Sequence, residues 1–235
     1  MSPQIPLFVF VAFLIAFCFP IFMIASLVRK NAPSDQGKSL FYGVIIFYVI
    51  YLAVVAFASF QGVFSENSIP PKIVQYTTLP LLLFLVGIIF NLSWFKDTLK
   101  NTPTHELILL HRFRLIGSFF LILLSLELLP PVFALVAGLG DLITALSSWW
   151  VAKQFQKGKP SHRTLAILWN TFGFVDILAT SSMAILFTKL SMETGALGVE
   201  ALTVFPFCFI PAFAPATIIF LHLSIYRKLL VQKFR

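Results

Sequence analysis

The chain reads as long apolar runs separated by short polar ones. Seven runs, at about residues 5–28, 39–61, 73–95, 107–129, 131–152, 164–188 and 202–226, are long enough to cross a hydrocarbon core. A helix rises about 1.5 Å per residue and the core is about 30 Å thick, so about twenty apolar residues suffice. The segments RKNAPSDQGK, GVFSENSIPPK, KDTLKNTPT, KQFQKGKPSHR and SMETGALGVEA separate them, together with a Leu-Leu-Pro-Pro turn ending at Pro131. The pattern predicts an all-α, polytopic membrane protein, a single domain over 1–235 built as a bundle of seven transmembrane helices. The first run lacks a basic leader and exceeds a signal-peptide core, so it is read as a retained helix that Pro20 kinks. The fourth run is read as capped by Thr102, with Pro103 at its first helical position.

Composition agrees with this reading. Hydrophobic residues make up 59% of the chain and its mean hydropathy is +0.94, far from soluble usage. The net charge of +8 does not indicate a nucleic-acid partner, because Lys and Arg are spread over helix ends instead of gathered in one arm. The expected partner is the lipid bilayer. Under the seven-span count Arg29, Lys30, Lys38, Lys96, Lys100, Arg112, Arg114, Lys153, Lys157, Lys159, Arg163, Arg227, Lys228, Lys233 and Arg235 share one side, and Lys72 and Lys189 the other. The positive-inside rule then predicts an outside N-terminus and a cytoplasmic C-terminus, in a cell membrane such as a bacterial inner membrane. Cys18 and Cys208 sit inside apolar runs and read as small core residues.

Candidate chemistry lies in the polar residues within the runs, because a charge in lipid costs about 2.5–3.5 kcal/mol on insertion scales and needs a partner or a cavity. Asp141 lies about 16 Å beyond the Pro130 turn, and Asp176 about 18 Å into the sixth run. Two carboxylates at one depth predict a shared-proton pair. Their surroundings, GLGDLITALSS and FGFVDILATSS, suggest either the trace of an inverted repeat or small residues for close helix packing. Arg112 and Arg114 either snorkel to the basic interface or turn inward. Arg114, about 22 Å from the same turn, is placed to reach Asp141.

His222 and Asn170 are expected to hydrogen-bond between helices, with His222 the candidate relay and His111 accessory to it. Two histidines can flank a haem, but His111 and His222 alone identify no cofactor, and with four His and two Cys no zinc set is expected. Glu127, beside the Pro-Pro turn, is expected to face water. Pro206, Pro211 and Pro215 predict a bent or unwound last helix, a candidate hinge. The last run has no Schiff-base lysine for a retinal protein. It lacks the paired histidines of the seven-helix zinc amidases, and the chain has no G-x-S-x-G, H-E-x-x-H or P-loop.

The run LPPVFALVAGLGD, then WNTFGFVDILAT, then FPFCFIPAFAPATIIFLHL, resembles a group of uncharacterised bacterial multi-pass membrane proteins. The likeness covers roughly the last 110 residues. It implies a helical membrane fold and points to the same polar residues, without an activity. The expected function is a small proton-coupled transporter or permease, in which Asp141 and Asp176 carry the proton, Arg114 is the counter-charge and His222 the relay. An intramembrane enzyme using the two carboxylates on a lipid-soluble substrate, and a sensor or assembly protein, remain the alternatives.

Overall fold

The computed structural model describes residues 5–33, 35–66, 68–158 and 160–231; Lys159, Lys233 and Arg235 of the basic set lie outside them. Among the described residues every regular element is helical. In chain order these are α1 (Leu7–Asn31), α2 (Gly37–Phe60), α3 (Val74–Asn91), the short α4 (Ser93–Asn101), α5 (Thr104–Ser125), α6 (Pro131–Gln156), α7 (Pro160–Thr194) and α8 (Phe209–Val231). All but α4 are long and apolar enough to cross a membrane.

Along the spans the exposed surface is apolar, and several polar side chains lie inside. Leu7, Phe8, Ile15, Phe19, Phe57 and Leu83 are each more than half exposed, whereas His111, Arg114, Thr144, Ser148, Asn170 and His222 have no exposed surface. This inverts the usual arrangement in water, and it is the arrangement that lipid as solvent requires. Seven such helices are compatible with an integral membrane protein. Burial ranks the helices: 67% of the most apolar stretch of α8 is buried, 56% of α5 and 50% of α6, against 17% for both α2 and α7. The last helix is therefore the axis of the bundle, and α7 lies at its rim with one buried edge.

Local chemistry explains where the helices depart from the spans expected from the sequence. Pro80 has no N–H to offer the carbonyl four residues back, and the turn before it, Val74–Thr78, widens into a π-helix. The third span does not run on to 95. It breaks at Leu92 (ψ 143°), and α4 follows with Phe95, Thr98 and Leu99 buried on one face. Thr102 does not cap α5. Its hydroxyl donates back to the Thr98 carbonyl at 2.7 Å, and Pro103 (ψ 137°) takes the capping position, so that Thr104 is the first helical residue.

The last helix starts at Phe209, seven residues later than the hydrophobic run suggests. Pro206 lies in the turn before it, Pro211 in its first turn where no intrahelical donor is lost, and Pro215 inside. Pro215 deprives the Pro211 carbonyl of its helical N–H, and the Thr78 hydroxyl replaces it at 2.7 Å. The Tyr51 hydroxyl donates to the next carbonyl, Ala212, at 2.9 Å. Neighbouring helices thus satisfy the two carbonyls nearest the Pro215 gap, with no unwound segment inside α8. Cys208 is buried, but Cys18 faces outward and is no core residue.

The end of the bundle where α1 meets α5 carries the basic residues. Lys30 pairs with Glu106 at 2.7 Å, and Arg163 and Lys228 donate to the backbone carbonyls of Leu229 and Lys100 at 2.7 and 2.8 Å. At the opposite end the Ser59 hydroxyl donates to the Thr203 carbonyl at 2.9 Å, and α5 closes with Leu128 N–H donating to the Leu123 carbonyl at 2.9 Å. That closure places Glu127, exposed as expected and far from the buried charges, at φ 58°, a left-handed position that costs an L-residue about 1–2 kcal/mol. Glu127→Gly is expected to raise the stability of the purified protein by about 1 kcal/mol, measured by thermal unfolding.

Candidate functional site

Most of α5 is an ordinary helix, but residues His111–Gly117 form a 3-10 stretch of seven residues. Such runs seldom exceed four, and in them side chains three apart eclipse one another. His111, Arg114 and Gly117 are therefore stacked in one row, and all three are buried. The α-helical spacing would have fanned them around the axis. On α6 a stripe of small residues, Ala134, Ala137, Gly138, Thr144, Ala145 and Ser148, surrounds Asp141 and lets the helix lie close against that row. On α7 the buried edge is Ala166, Asn170, Gly173 and Ile177, with Asp176 beside it.

The Arg114 guanidinium joins three helices to its own. Nε donates to Asp141 Oδ1 at 2.6 Å, Nη2 donates to Asp176 Oδ2, and Nη1 donates to the Gly173 carbonyl at 3.1 Å. Nη1 also lies 3.4 Å from Nε2 of His222 on α8. The Asn170 amide then fixes the imidazole. Its Nδ2 donates to the His222 carbonyl at 3.2 Å, which turns Oδ1 toward Nδ1 of the ring at 2.8 Å. A carbonyl oxygen accepts, so Nδ1 carries the proton and Nε2 presents its lone pair to Arg114.

Three glycines make this approach possible. A β-carbon on Gly117 would lie 2.8 Å from Asp141 Cγ and nearer still to its Cβ; one on Gly140 would collide with the Asp176 carboxylate; one on Gly173 would lie 2.7 Å from His222 Cε1. Gly138 and Gly173 occupy matching places in the two similar Gly-Asp segments. The first packs on Leu121 and the Gly117 carbonyl, the second on His222 and Thr144. Close helix packing accounts for both.

Arg114, Asp141, Asp176, His222 and Asn170 are thus brought together, with His111 against them. The His111 and His222 rings lie 4.2 Å apart in direct contact, which leaves no space between them for a haem macrocycle, and Trp169 meets His111 edge-on at 5.3 Å. Neither His111 nitrogen has a hydrogen-bond partner, nor has the Thr144 hydroxyl. Among the described residues no three His, Cys, Asp or Glu side chains gather as metal ligands. Arg112 lies outside the cluster: its Nε donates to the Leu109 carbonyl at 3.0 Å and its guanidinium lies 5.7 Å from the Trp149 ring. Glu127 and the three prolines also make no contact with Arg114.

Two small cavities meet at Asp141. One, of about 10 Å³, runs beside Arg114, Gly117 and Pro20; the other, of about 50 Å³, is bounded by Thr180, Ser181, Ile210 and Pro215. Asp141 keeps a tenth of its side chain exposed, although it lies in the middle of α6.

A family described as a domain of unknown function (DUF8737) matches residues 71–230. The chain belongs to that family. The DUF8737 segment runs from just before α3 to the end of α8 and contains every residue of the polar cluster. It leaves out α1 and α2, although α1 lends Phe17 and Pro20 to the smaller cavity. No curated protein and no solved structure matches the chain.

Gly117, Gly173, Thr144 and Trp169 escaped the sequence reading. The His-x-x-Arg-x-x-Gly spacing spreads the three side chains over about 120° of an α-helix and aligns them only in a 3-10 stretch, so the row could be read only once the tightening was seen. Gly140→Ala is expected to lower stability by about 1–3 kcal/mol, as overpacking does, and to release Asp176 from Arg114. Thermal unfolding beside Gly43→Ala, where the added methyl meets nothing within 4 Å, measures the difference.

Proposed function

We propose that the chain is a small proton-coupled transporter or permease whose working centre is Arg114 with Asp141 and Asp176. One observation carries this reading: a fully buried arginine is shared by two carboxylates from different helices. One carboxylate would neutralise the guanidinium, so the second leaves a net negative charge in an apolar bundle, where it is costly. A proton arriving at either carboxylate neutralises the group and loosens one of the two ties between α5 and its neighbours. Proton arrival is thereby linked to the packing of α6 and α7, which is what coupling requires. His222, held by Asn170 in the tautomer that faces Arg114, continues the polar chain toward the basic end of the bundle.

The cavities favour this reading over an intramembrane enzyme. Pockets for organic ligands usually enclose about 300–1,000 Å³. Those at Asp141 enclose about 10 and 50 Å³, enough for water and protons but not for a lipid-soluble substrate. The orientation that follows from the charge asymmetry, with the basic end cytoplasmic, belongs to the same proposal, as does the placement in a bacterial inner membrane.

Purified protein in liposomes loaded with a pH-sensitive dye tests the reading. Under a pH gradient with Na⁺, K⁺, Cl⁻ or bicarbonate offered in turn, wild type is expected to move protons faster than protein-free vesicles in at least one condition. Asp141→Asn and Asp176→Asn are expected to reduce that flux at least tenfold. Absence of flux in every condition, or full flux in both variants, overturns the transporter reading.

A further inference from the structure

The larger cavity at Asp141 adjoins others on both sides. It shares Ala184, Leu202 and Pro211 with a third cavity, of about 290 Å³, which is bordered by Glu66, Ser68 and Glu200 at the end of the bundle opposite the basic residues. At its inner side it shares Phe120, Asp141, Ile210 and Ala214 with the small cavity beside Arg114. The three cavities follow two helix faces. On α8 they descend past Pro211, then Ala214 and Pro215, then Ile218, one helical turn per step. On α7 they descend past Thr188, Ala184, Ser181 with Thr180, and Ile177, again about one turn per step. Residues three and four apart share a face, so both stripes line the same succession of adjoining cavities, about 16 Å along α7 and about 10 Å along α8.

The chemistry of the passage is graded. The mouth places Glu66, Ser68 and Glu200 among apolar side chains; Glu200 accepts from the Ser191 hydroxyl at 2.6 Å, and Glu66 pairs with Lys72. The neck is narrow, with small and hydroxyl-bearing side chains on α7 facing Phe120, Phe133 and Ile210. The inner end is the carboxylate of Asp141. The neck, of about 50 Å³, has room for water, which takes about 10–15 Å³ of such space, and its polar partners are the adjacent Thr180 and Ser181 and the Asp141 carboxylate; the Ser181 hydroxyl donates to the Ile177 carbonyl at 2.8 Å and keeps its lone pairs for a water.

We infer that this passage is the proton entry route, carrying protons on water from the Glu66 and Glu200 end to Asp141. The inference rests on the transporter reading for its purpose but not for its geometry. It assigns Ser181 and Thr180 as lining residues and Ala184, common to the mouth and the neck, as the step between them. It also makes access one-sided: Asp141 is reached from the mouth between α7 and α8, and the packed His111, Trp169 and His222 rings close the other direction.

Silver ion, small enough to follow water and reactive with thiols, tests the geometry without any transport. In protein lacking Cys18 and Cys208, Ser181→Cys is expected to react with Ag⁺ added on the Glu66 side of sealed vesicles, shown by at least tenfold protection from alkylation after denaturation. Ag⁺ added on the Lys157 side is expected to give no protection, and Ala184→Leu is expected to abolish it while the fold is retained by thermal unfolding. Protection from the Lys157 side, equal protection from both sides, or none from either overturns the route. So does protection that survives Ala184→Leu. If the thiol reacts as expected but no protons move in the dye assay, the passage stands and the transporter reading falls.

Discussion

A single guanidinium organises the interior. Arg114 has no exposed surface and donates to groups on α6 and α7 while touching α8, so four helices meet at one side chain. In a bilayer no hydrophobic force draws helices together, since lipid tails are as apolar as leucine. What distinguishes one arrangement of apolar helices from another is then small-residue packing and polar contacts, and here both converge. The glycines that let α6 and α7 come close are the residues that make room for Asp141, Asp176 and His222. Charge and packing therefore specify the same arrangement, and a change in one disturbs the other.

The tight turn of α5 is the second half of that arrangement. A regular helix would turn Gly117 about 60° from Arg114 and about 120° from His111; the 3-10 stretch holds all three in one row, so that the arginine and the gap for its partner are aligned. The stretch also leaves His111 against His222, a contact that extends the polar cluster toward the basic end. The prolines of the last chain segment have a different part from the one their spacing suggests. Only Pro215 interrupts a helix, and Thr78 and Tyr51 from α3 and α2 supply hydrogen bonds to the carbonyls around it. Neighbouring helices thus complete the backbone at Pro211 and Ala212, and Pro211 and Pro215 contribute shape to the wall of a cavity.

The apolar runs were legible because a helix in lipid must be apolar for about twenty residues, and neither packing nor function can relax that. The meeting of Arg114 with Asp141 was legible by counting residues from the Pro-Pro turn, since helical rise converts position into depth. Counting basic residues, in contrast, assigned Arg114 to the interface with Arg112, because a tally of charge has no information on which face of the helix a residue occupies. Arg112 does sit at the rim, against Trp149, two residues from an arginine that is wholly inside. The late start of α8 was not legible either. Residues 202–208 are as apolar as the helix they precede, and hydropathy cannot separate a buried turn from a helical one. The role of the glycines needed the structure, because what each one admits comes from another helix.

The central claim is that Arg114 and its two carboxylates form one balanced unit, and stability measures it most directly. Thermal unfolding of purified wild type, Arg114→Met, and the triple variant Arg114→Met, Asp141→Asn, Asp176→Asn provides the comparison. The single variant leaves two buried carboxylates without their cation and is predicted to lose about 3–5 kcal/mol, whereas the triple variant, which carries no buried charge, recovers at least half of that loss. An Arg114→Met protein as stable as wild type, or a triple variant no better than the single one, would contradict the account.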